Sequence, residues 1–280
     1  MKFGMNTLLW SDDVTGDAYL PLFERLKEMG FDSVEPAVLQ THTAAFTALG
    51  KQLDGLGLER TASTALAPEH NLISPDASVR AAGLAQLKRV IDCCHAMGAK
   101  ILVGPLQAAL GVFSGAGPTE QEWAWSVEGL RAAAEHAEQA GVVLATEFLN
   151  RFEIYLLNTA SDAHRLVQEV DHPHLRMMYD TFHAHIEEKN VEEAIKACAE
   201  SLVHVHISEN DRGTPGQGQV RWQESFAALR RIGYDGCLTI EAFGQSLPAI
   251  AAATKIWRRM YETEDQLAAD GLAFLKQTWA

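Results

Sequence analysis

Four side chains able to bind a cation or move a proton recur along the second half of the sequence. Glu147 in Thr146-Glu147-Phe148, Asp180 in Tyr179-Asp180, His206 in His204-Val205-His206 and Glu241 in Thr239-Ile240-Glu241 each close a short apolar run. They stand 33, 26 and 35 residues apart, each step close to one strand plus one helix. Three carboxylates crowded into a partly desolvated place repel one another and resist ionisation unless a cation neutralises them. A divalent ion is the simple remedy. Oxygen ligands with one imidazole suit Mn²⁺, Mg²⁺ or Co²⁺ better than a structural zinc, which takes more sulfur and histidine. Of His204 and His206 only one is expected to face inward, and His206, nearest the strand end, is taken as the ligand.

For these groups to meet, the runs that carry them must be neighbouring strands ending on one side. Strands are predicted over 3–9, 32–36, 58–63, 100–104, 142–148, 175–180, 202–207 and 237–243. Helical patterns fill 17–29, 43–55, 78–97, 119–140, 160–170, 191–199, 222–232 and 247–262. Gly30, Gly57, Gly98, Gly141 and Gly233 each stop a helical pattern just before an apolar run, as a left-handed residue closing a helix would. Runs such as Ile101-Leu102-Val103 and Val142-Val143-Leu144 are continuously apolar, which suits parallel strands covered on both faces. No G-x-G-x-x-G follows the first strand, so an open dinucleotide-binding sheet is disfavoured. The expected fold is an α/β (β/α)8 TIM barrel, one domain over 1–280. In such barrels the chemistry sits at the carboxyl ends of the strands. In the first half only Glu35 has comparable character, and the irregular segment 105–118 is long enough to cover a site.

Bulk properties narrow the function. The 280 residues carry a formal charge of −14, which repels phosphodiester backbones, and no basic stripe offsets it, so no nucleic-acid partner is expected. No run of about 18 apolar residues could span a bilayer, so no membrane partner is expected, and with no leader-like start a cytoplasmic location is. Cys93, Cys94, Cys198 and Cys237 form neither C-x-x-C nor a disulfide pattern and are expected to pack as small hydrophobes. His95, His136 and His164 lie on helices without a partner ligand one turn away and are assigned to surface or boundary positions.

Longer motifs add a resemblance. Glu147-Phe148-Leu149-Asn150-Arg151-Phe152-Glu153 and Asp180-Thr181-Phe182-His183-Ala184-His185-Ile186-Glu187-Glu188 come first. His206-Ile207-Ser208-Glu209-Asn210-Asp211-Arg212 with Pro215-Gly216-Gln217-Gly218 follows, and Gly233-Tyr234-Asp235-Gly236 leads to Ile240-Glu241-Ala242-Phe243. Together they resemble the D-tagatose 3-epimerase and D-allulose (psicose) 3-epimerase family of the xylose-isomerase-like barrels. The resemblance is tight over 140–244, weaker through Ile256-Trp257-Arg258-Arg259-Met260, and thin in the first half. It implies a divalent ion, usually manganese, on Glu147, Asp180, His206 and Glu241, with Glu147 and Glu241 doubling as the proton-transferring catalytic pair. It implies that Glu153, His183 and Arg212 bind a small ketose near its carbonyl, and that the chain associates as a homodimer or homotetramer. His185 falls where the family does not require histidine.

The implied chemistry is proton removal next to a carbonyl. Two carboxylates on opposite sides of a planar enediolate can take a proton from one face and return one to the other, inverting C3. A single base shuttling between adjacent carbons would isomerise instead, so a related sugar isomerase, or an epimerase or lyase of a 3-keto-glycoside using the same metal site, is the alternative. The first strand departs from the family: Asn6-Thr7-Leu8-Leu9, then Trp10, stands where aromatic residues usually meet the far end of the sugar. Near the loops after strands seven and eight only Arg212 and Arg221 are basic, so a free sugar is preferred to a phosphate. Pro215-Gly216-Gln217-Gly218 is read as a tight turn that lets backbone approach the ligand.

Overall fold

The computed structural model describes residues 1–279. Nine short strands run β1 (Lys2–Asn6), β2 (Ser33–Glu35), β3 (Glu59–Arg60), β4 (Ala62–Ser63), β5 (Ile101–Gly104), β6 (Val143–Glu147), β7 (Leu175–Asp180), β8 (Leu202–Ile207) and β9 (Cys237–Ile240). The α-helices are α1 (Leu20–Met29), α2 (Thr43–Leu56), α3 (Ala77–Met97), α4 (Glu120–Ala140), α5 (Ala160–Val170), α6 (Thr181–Glu187), α7 (Val191–Cys198), α8 (Trp222–Arg231), α9 (Pro248–Thr254) and α10 (Glu264–Trp279).

All strand pairs are parallel, in the order β3-β2-β1-β9-β8-β7-β6-β5-β4. Only Thr61 separates β3 from β4, so the third barrel strand is one run with a break, pairing β2 on one side and β5 on the other. That closes the ring, and the expected TIM barrel is what forms. All five junction glycines have positive φ, between 62° and 96°, as the αβ junctions require. The helices bury their apolar stripes outside the barrel. On α5, Ala160, Ala163, Leu166, Val167 and Val170 face the strands, and Thr159 caps the first turn through Asp162 N–H. Among the described residues no helix is long and apolar enough to cross a membrane, and all four cysteines are free.

Several elements differ from expectation, β9 among them, which ends at Ile240 rather than residue 243. β1 ends at Asn6 rather than residue 9, because Asn6 Oδ1 accepts Leu8 N–H at 2.9 Å and turns Thr7–Leu9 into a 3₁₀ turn. The helix expected over 247–262 stops at Thr254, where Lys255 takes a left-handed φ of 62° and Ile256 folds back onto Phe243 and Ala251. The eighth outer helix is instead α10, whose Leu267, Ala268, Leu272 and Leu275 are buried, with Trp10 Nε1–H donating to Asp265. The seven-residue α6 was not expected; Asp180 starts it by accepting Phe182 N–H at 2.6 Å.

Candidate active site

Strand register decides which side chains meet at the mouth. Glu147 closes β6 and Asp180 closes β7, while Glu241 follows β9 with its N–H bonded to Ile207 C=O. Between Met177 and Met178 the β7–β8 register slips by one, so Met177 pairs with Leu202 but Met178 with His204. Val203 is the extra residue. A straight ladder would have set Asp180 beside Val205; the bulge sets it beside His206. Both His204 and His206 point inward, contrary to the expectation that only one would, because residues two apart on a strand share a face. His206 reaches the acids at the mouth, and His204 lies one layer deeper, against Glu35.

The four expected ligands and His183 fall into two groups that share Asp180. His206 Nδ1 lies 3.3 Å from Glu241 Oε1 and 3.9 Å from Asp180 Oδ2, and His183 Nε2 lies 3.7 Å from Glu147 Oε1. Ligand atoms of Asp180, His206 and Glu241 lie within 4.8 Å of one another, as do those of Glu147, Asp180 and His183. Arg212 joins them: its Nη1 donates to Glu241 Oε2 at 2.7 Å, to Asp180 Oδ2 at 3.0 Å and to Ser208 Oγ at 3.0 Å. Its guanidinium carbon sits 3.8 Å from the Phe182 ring centre and 5.0 Å from that of Phe243, a cation–π sandwich that fixes its plane.

This crowding sets the acids apart. Burial, then Glu241 and Asp180, push the Glu147 carboxyl well above its ordinary range. Burial and the charge of Glu241 raise Asp180 to about 7 against the pull of Arg212. For Glu241, burial is outweighed by His206 and Arg212, which hold it at about 2. Burial also works against His206, but Glu241 and Glu35 keep its imidazole well above its usual value.

The expected substrate contacts lie on the same wall. Glu153, His183 and Arg212 line one cavity with Glu147, His206 and Glu241. Asn150 organises them. Its backbone N–H donates to His183 Nδ1 at 3.0 Å, and its Nδ2 donates to Glu153 Oε1 at 2.7 Å. A backbone N–H can only donate, so His183 Nδ1 accepts and the ring proton sits on Nε2, facing the cavity. Burial and the neighbouring Arg212 and His206 keep this imidazole well below its usual value, hence neutral.

Several supports escaped the sequence reading. Gln107 in segment 105–118 donates to Glu147 C=O at 2.8 Å and accepts from Thr146 Oγ at 2.6 Å, clamping the end of β6. The segment borders the cavity with Pro105 and Leu110. Glu209 is fully buried and accepts from the N–H groups of Gly216 (2.9 Å) and Val220 (3.0 Å) and from Trp222 Nε1 (3.0 Å). The Pro215–Gly218 turn packs on Glu209 and Phe274 and is not among the residues lining the cavity; a Cβ at Gly216 would lie 2.4 Å from the Phe274 ring, and Gly216 has a φ of 88°. A buried acid three residues before Arg212 and six before a P-G-x-G turn was the available signal. The other histidines have structural bonds: His95 Nδ1 to Ala140 C=O, His136 to Asp92 and His164 to Ser201. His185 is half-buried on α6.

The donor set fits a divalent cation. Glu147 Oε1 and His206 Nδ1 are buried without a hydrogen-bond partner, an expense of about 1–3 kcal/mol each that a cation would remove. Three carboxylates and one imidazole nitrogen match Mn²⁺, Mg²⁺ or Co²⁺. The cavity is also lined by Leu8, Ala37, Leu39, Ala65, Val103 and Leu110. No lysine lines it, and its one arginine is the one bound to Asp180 and Glu241.

Known proteins share this arrangement of chain. The family described as "Xylose isomerase-like TIM barrel" matches residues 23–278. A probable ketose 3-epimerase of Synechocystis sp. is 33% identical over 279 residues, covering 100% of this chain and 97% of that protein. A D-psicose 3-epimerase of Agrobacterium fabrum is 32% identical over 262 residues, covering 92% and 90%. The crystal structure of a D-allulose 3-epimerase from Methylomonas sp. in complex with D-allulose superposes with a TM-score of 0.93 at 28% identity, covering 99% of this chain and 97% of that one.

Proposed function

The chain belongs to the ketose 3-epimerases of the xylose isomerase-like TIM barrel family, and on that footing we propose that it inverts C3 of a free ketohexose or ketopentose. The observation that carries this is a pair of carboxyls, Glu147 and Glu241, lining one cavity with His206, His183 and Arg212. Such a pair can act as acid and base within one turnover.

Glu147, Asp180, His206 and Glu241 would hold the divalent ion, with Mn²⁺ the first choice. When bound, that ion supplies Lewis-acid polarisation of the ketone and its neighbouring hydroxyl. The remaining work falls to the chain. Whichever carboxyl is ionised removes the C3 proton from its side of the sugar, and the other returns one to the opposite face of the flattened enediolate. His183 Nε2–H and Arg212 Nη2, 3.0 Å apart, are both donors and cannot satisfy each other; a ketose oxygen set in front of the two would accept from both. Glu153, tied to Asn150, would accept a sugar hydroxyl. Holding the oxygens this way keeps C3 between the two carboxyls, an orientation effect of the same order as the proton transfers.

A free sugar is favoured over a phosphate because no spare cation lines the cavity. The same reading takes the chain as one domain over 1–280, working in the cytosol, where its four free cysteines would stay reduced. Exposed Phe152 and Trp257 would supply apolar contact for a homodimer or homotetramer, which sedimentation velocity would test. The decisive assay incubates manganese-loaded protein with D-fructose, D-allulose, D-tagatose and L-ribulose in deuterated water. The expected product is the C3 epimer carrying deuterium at C3. Aldose products, or turnover only of a 3-keto-glycoside, would replace this function with the isomerase or glycoside alternative.

A further inference from the structure

One buried acid plays no part in the chemistry above. Glu35 closes β2 one layer beneath the cavity floor and is fully buried. Its Oε1 accepts from His206 Nε2–H at 2.7 Å and from Asn6 Nδ2 at 2.9 Å, and its Oε2 accepts from Thr61 Oγ at 2.6 Å. His204 Nε2 lies 3.0 Å from Oε2, but its N–H is turned off the oxygen, so that contact is electrostatic and neither His204 nitrogen makes a hydrogen bond. A lone carboxylate in this position would cost several kcal/mol; donors from β1, the β3–β4 break and β8 offset that. So many strands aimed at one acid also fix its place.

The consequence lies across the imidazole. With Nε2–H committed to Glu35, the ring atom left facing Asp180 and Glu241 is Nδ1, which is buried and has no hydrogen bond. We propose that Glu35 is a positioning residue: it selects the nitrogen that His206 presents to the cation and fixes the rotation of the ring. An acid from the first half of the barrel thereby sets a ligand from the second half, the role that outer carboxylates play behind metal-bound histidines. A second cation beneath the first is poorly served here. Three donors already occupy Glu35, and His206 Nε2 carries the proton that a second ion would need removed.

The inference rests on the cation site proposed above, and its test separates the two. Metal-stripped wild type, E35Q and E35D are titrated with Mn²⁺ by calorimetry, and their Co²⁺ forms are compared by visible absorption; melting in EDTA reports folding independently. The glutamine keeps an oxygen where Oε1 stands, loses the charge, and sets an NH2 donor where Oε2 accepted from Thr61, whose hydroxyl can turn to accept instead. The aspartate keeps the charge but withdraws the oxygen by one carbon. Positioning requires E35D to lose about 10–100-fold in Mn²⁺ affinity and to shift the Co²⁺ bands, while E35Q stays within about tenfold with bands like wild type. E35D binding as tightly as wild type, or E35Q falling as far as E35D, overturns it. Should E35D fail to fold, a loss beyond tenfold in E35Q overturns it alone. Wild type that takes up no Mn²⁺ rejects the cation site itself, a separate result.

Discussion

The two halves of the barrel bring opposite chemistry to one cavity. β6 to β9 and their loops contribute Glu147, Asp180, His206 and Glu241, with Glu153, His183 and Arg212 beside them. The wall from the first half carries no charge: Leu8, Ala37, Leu39, Ala65, Val103 and Leu110 dominate it, with Ser63 and Thr64 its polar side chains. One side can hold a ligand by charges and oriented donors, and the other mainly shapes the space. A polar molecule in this cavity is therefore gripped at one end. Parts of the grip are fixed by neighbours: Gln107 clamps the backbone at Glu147, Asn150 holds the neutral His183 ring, and the Arg212 guanidinium lies against the Phe182 and Phe243 rings.

The sharpest way to break the comparison is to remove a proton carrier. E147Q and E241Q keep the shape and lose the ionisable group, so each should lower kcat about 10²–10⁴-fold with little change in KM. The double variant should be scarcely worse than either alone, since both belong to one transfer chain. Steady-state kinetics on the preferred ketose, with metal content measured for each variant, checks this. Either variant retaining more than a tenth of wild-type kcat would mean that the polar half does not carry the chemistry as assigned.

A middle-sized effect concerns the charge held in the polar half. In metal-free protein Asp180 is raised to about 7, and Glu147 and His206 lie well above their ordinary values. A raised value stabilises the fold below the unfolded-state pKa, and that contribution is lost as pH climbs through the folded one. His183, held low, works in the opposite sense only below about pH 6.5, the ordinary histidine value. Above it the opposition is gone. The Tm of EDTA-treated protein should accordingly fall between about pH 6.5 and 8.5, by a few degrees for each kcal/mol lost, and saturating Mn²⁺ should flatten the curve. Differential scanning calorimetry decides; a Tm that rises over that range would reject the assigned strain.

The halves also differ in how far they could be read from sequence. Glu147, Asp180 and His206 were legible at the strand ends because apolar runs stop there at an acid or an imidazole, although the helices between them close without glycine, α5 at Asp171 and α7 at Ala199. What stayed hidden was anything that depends on register across strands. The bulge at Val203 has no signal within β8 itself, since it exists only against β7. Glu35 could be seen as an acid at a strand end, but its partner His206 is 171 residues away, and only barrel closure joins them. Asn150, Gln107 and Glu209 looked like ordinary loop residues, because a support is defined by what it touches. The break at Lys255 was missed for another reason: Ile256, Trp257 and Met260 continue an apolar pattern after the helix has ended, drawing attention from the true helix at Glu264.

The smallest expected effect tests the apolar half. If the first-half wall only shapes the space, trimming it removes contact made equally in the ground state and the transition state. Such a change raises KM and leaves kcat alone. Leu110→Ala should raise KM at most about tenfold and keep kcat within a factor of about two. Leu8→Ala should behave likewise, since Leu8 sits on the 3₁₀ turn after β1 and lines the cavity with an uncharged side chain. The informative comparison sets ketopentoses against ketohexoses in both variants. A shorter sugar reaches less of the wall, so its KM should move less than that of a six-carbon ketose. Equal shifts for both, or a large fall in kcat, would mean that the apolar residues help to orient the reacting carbon, and the division of labour between the halves would have to be redrawn.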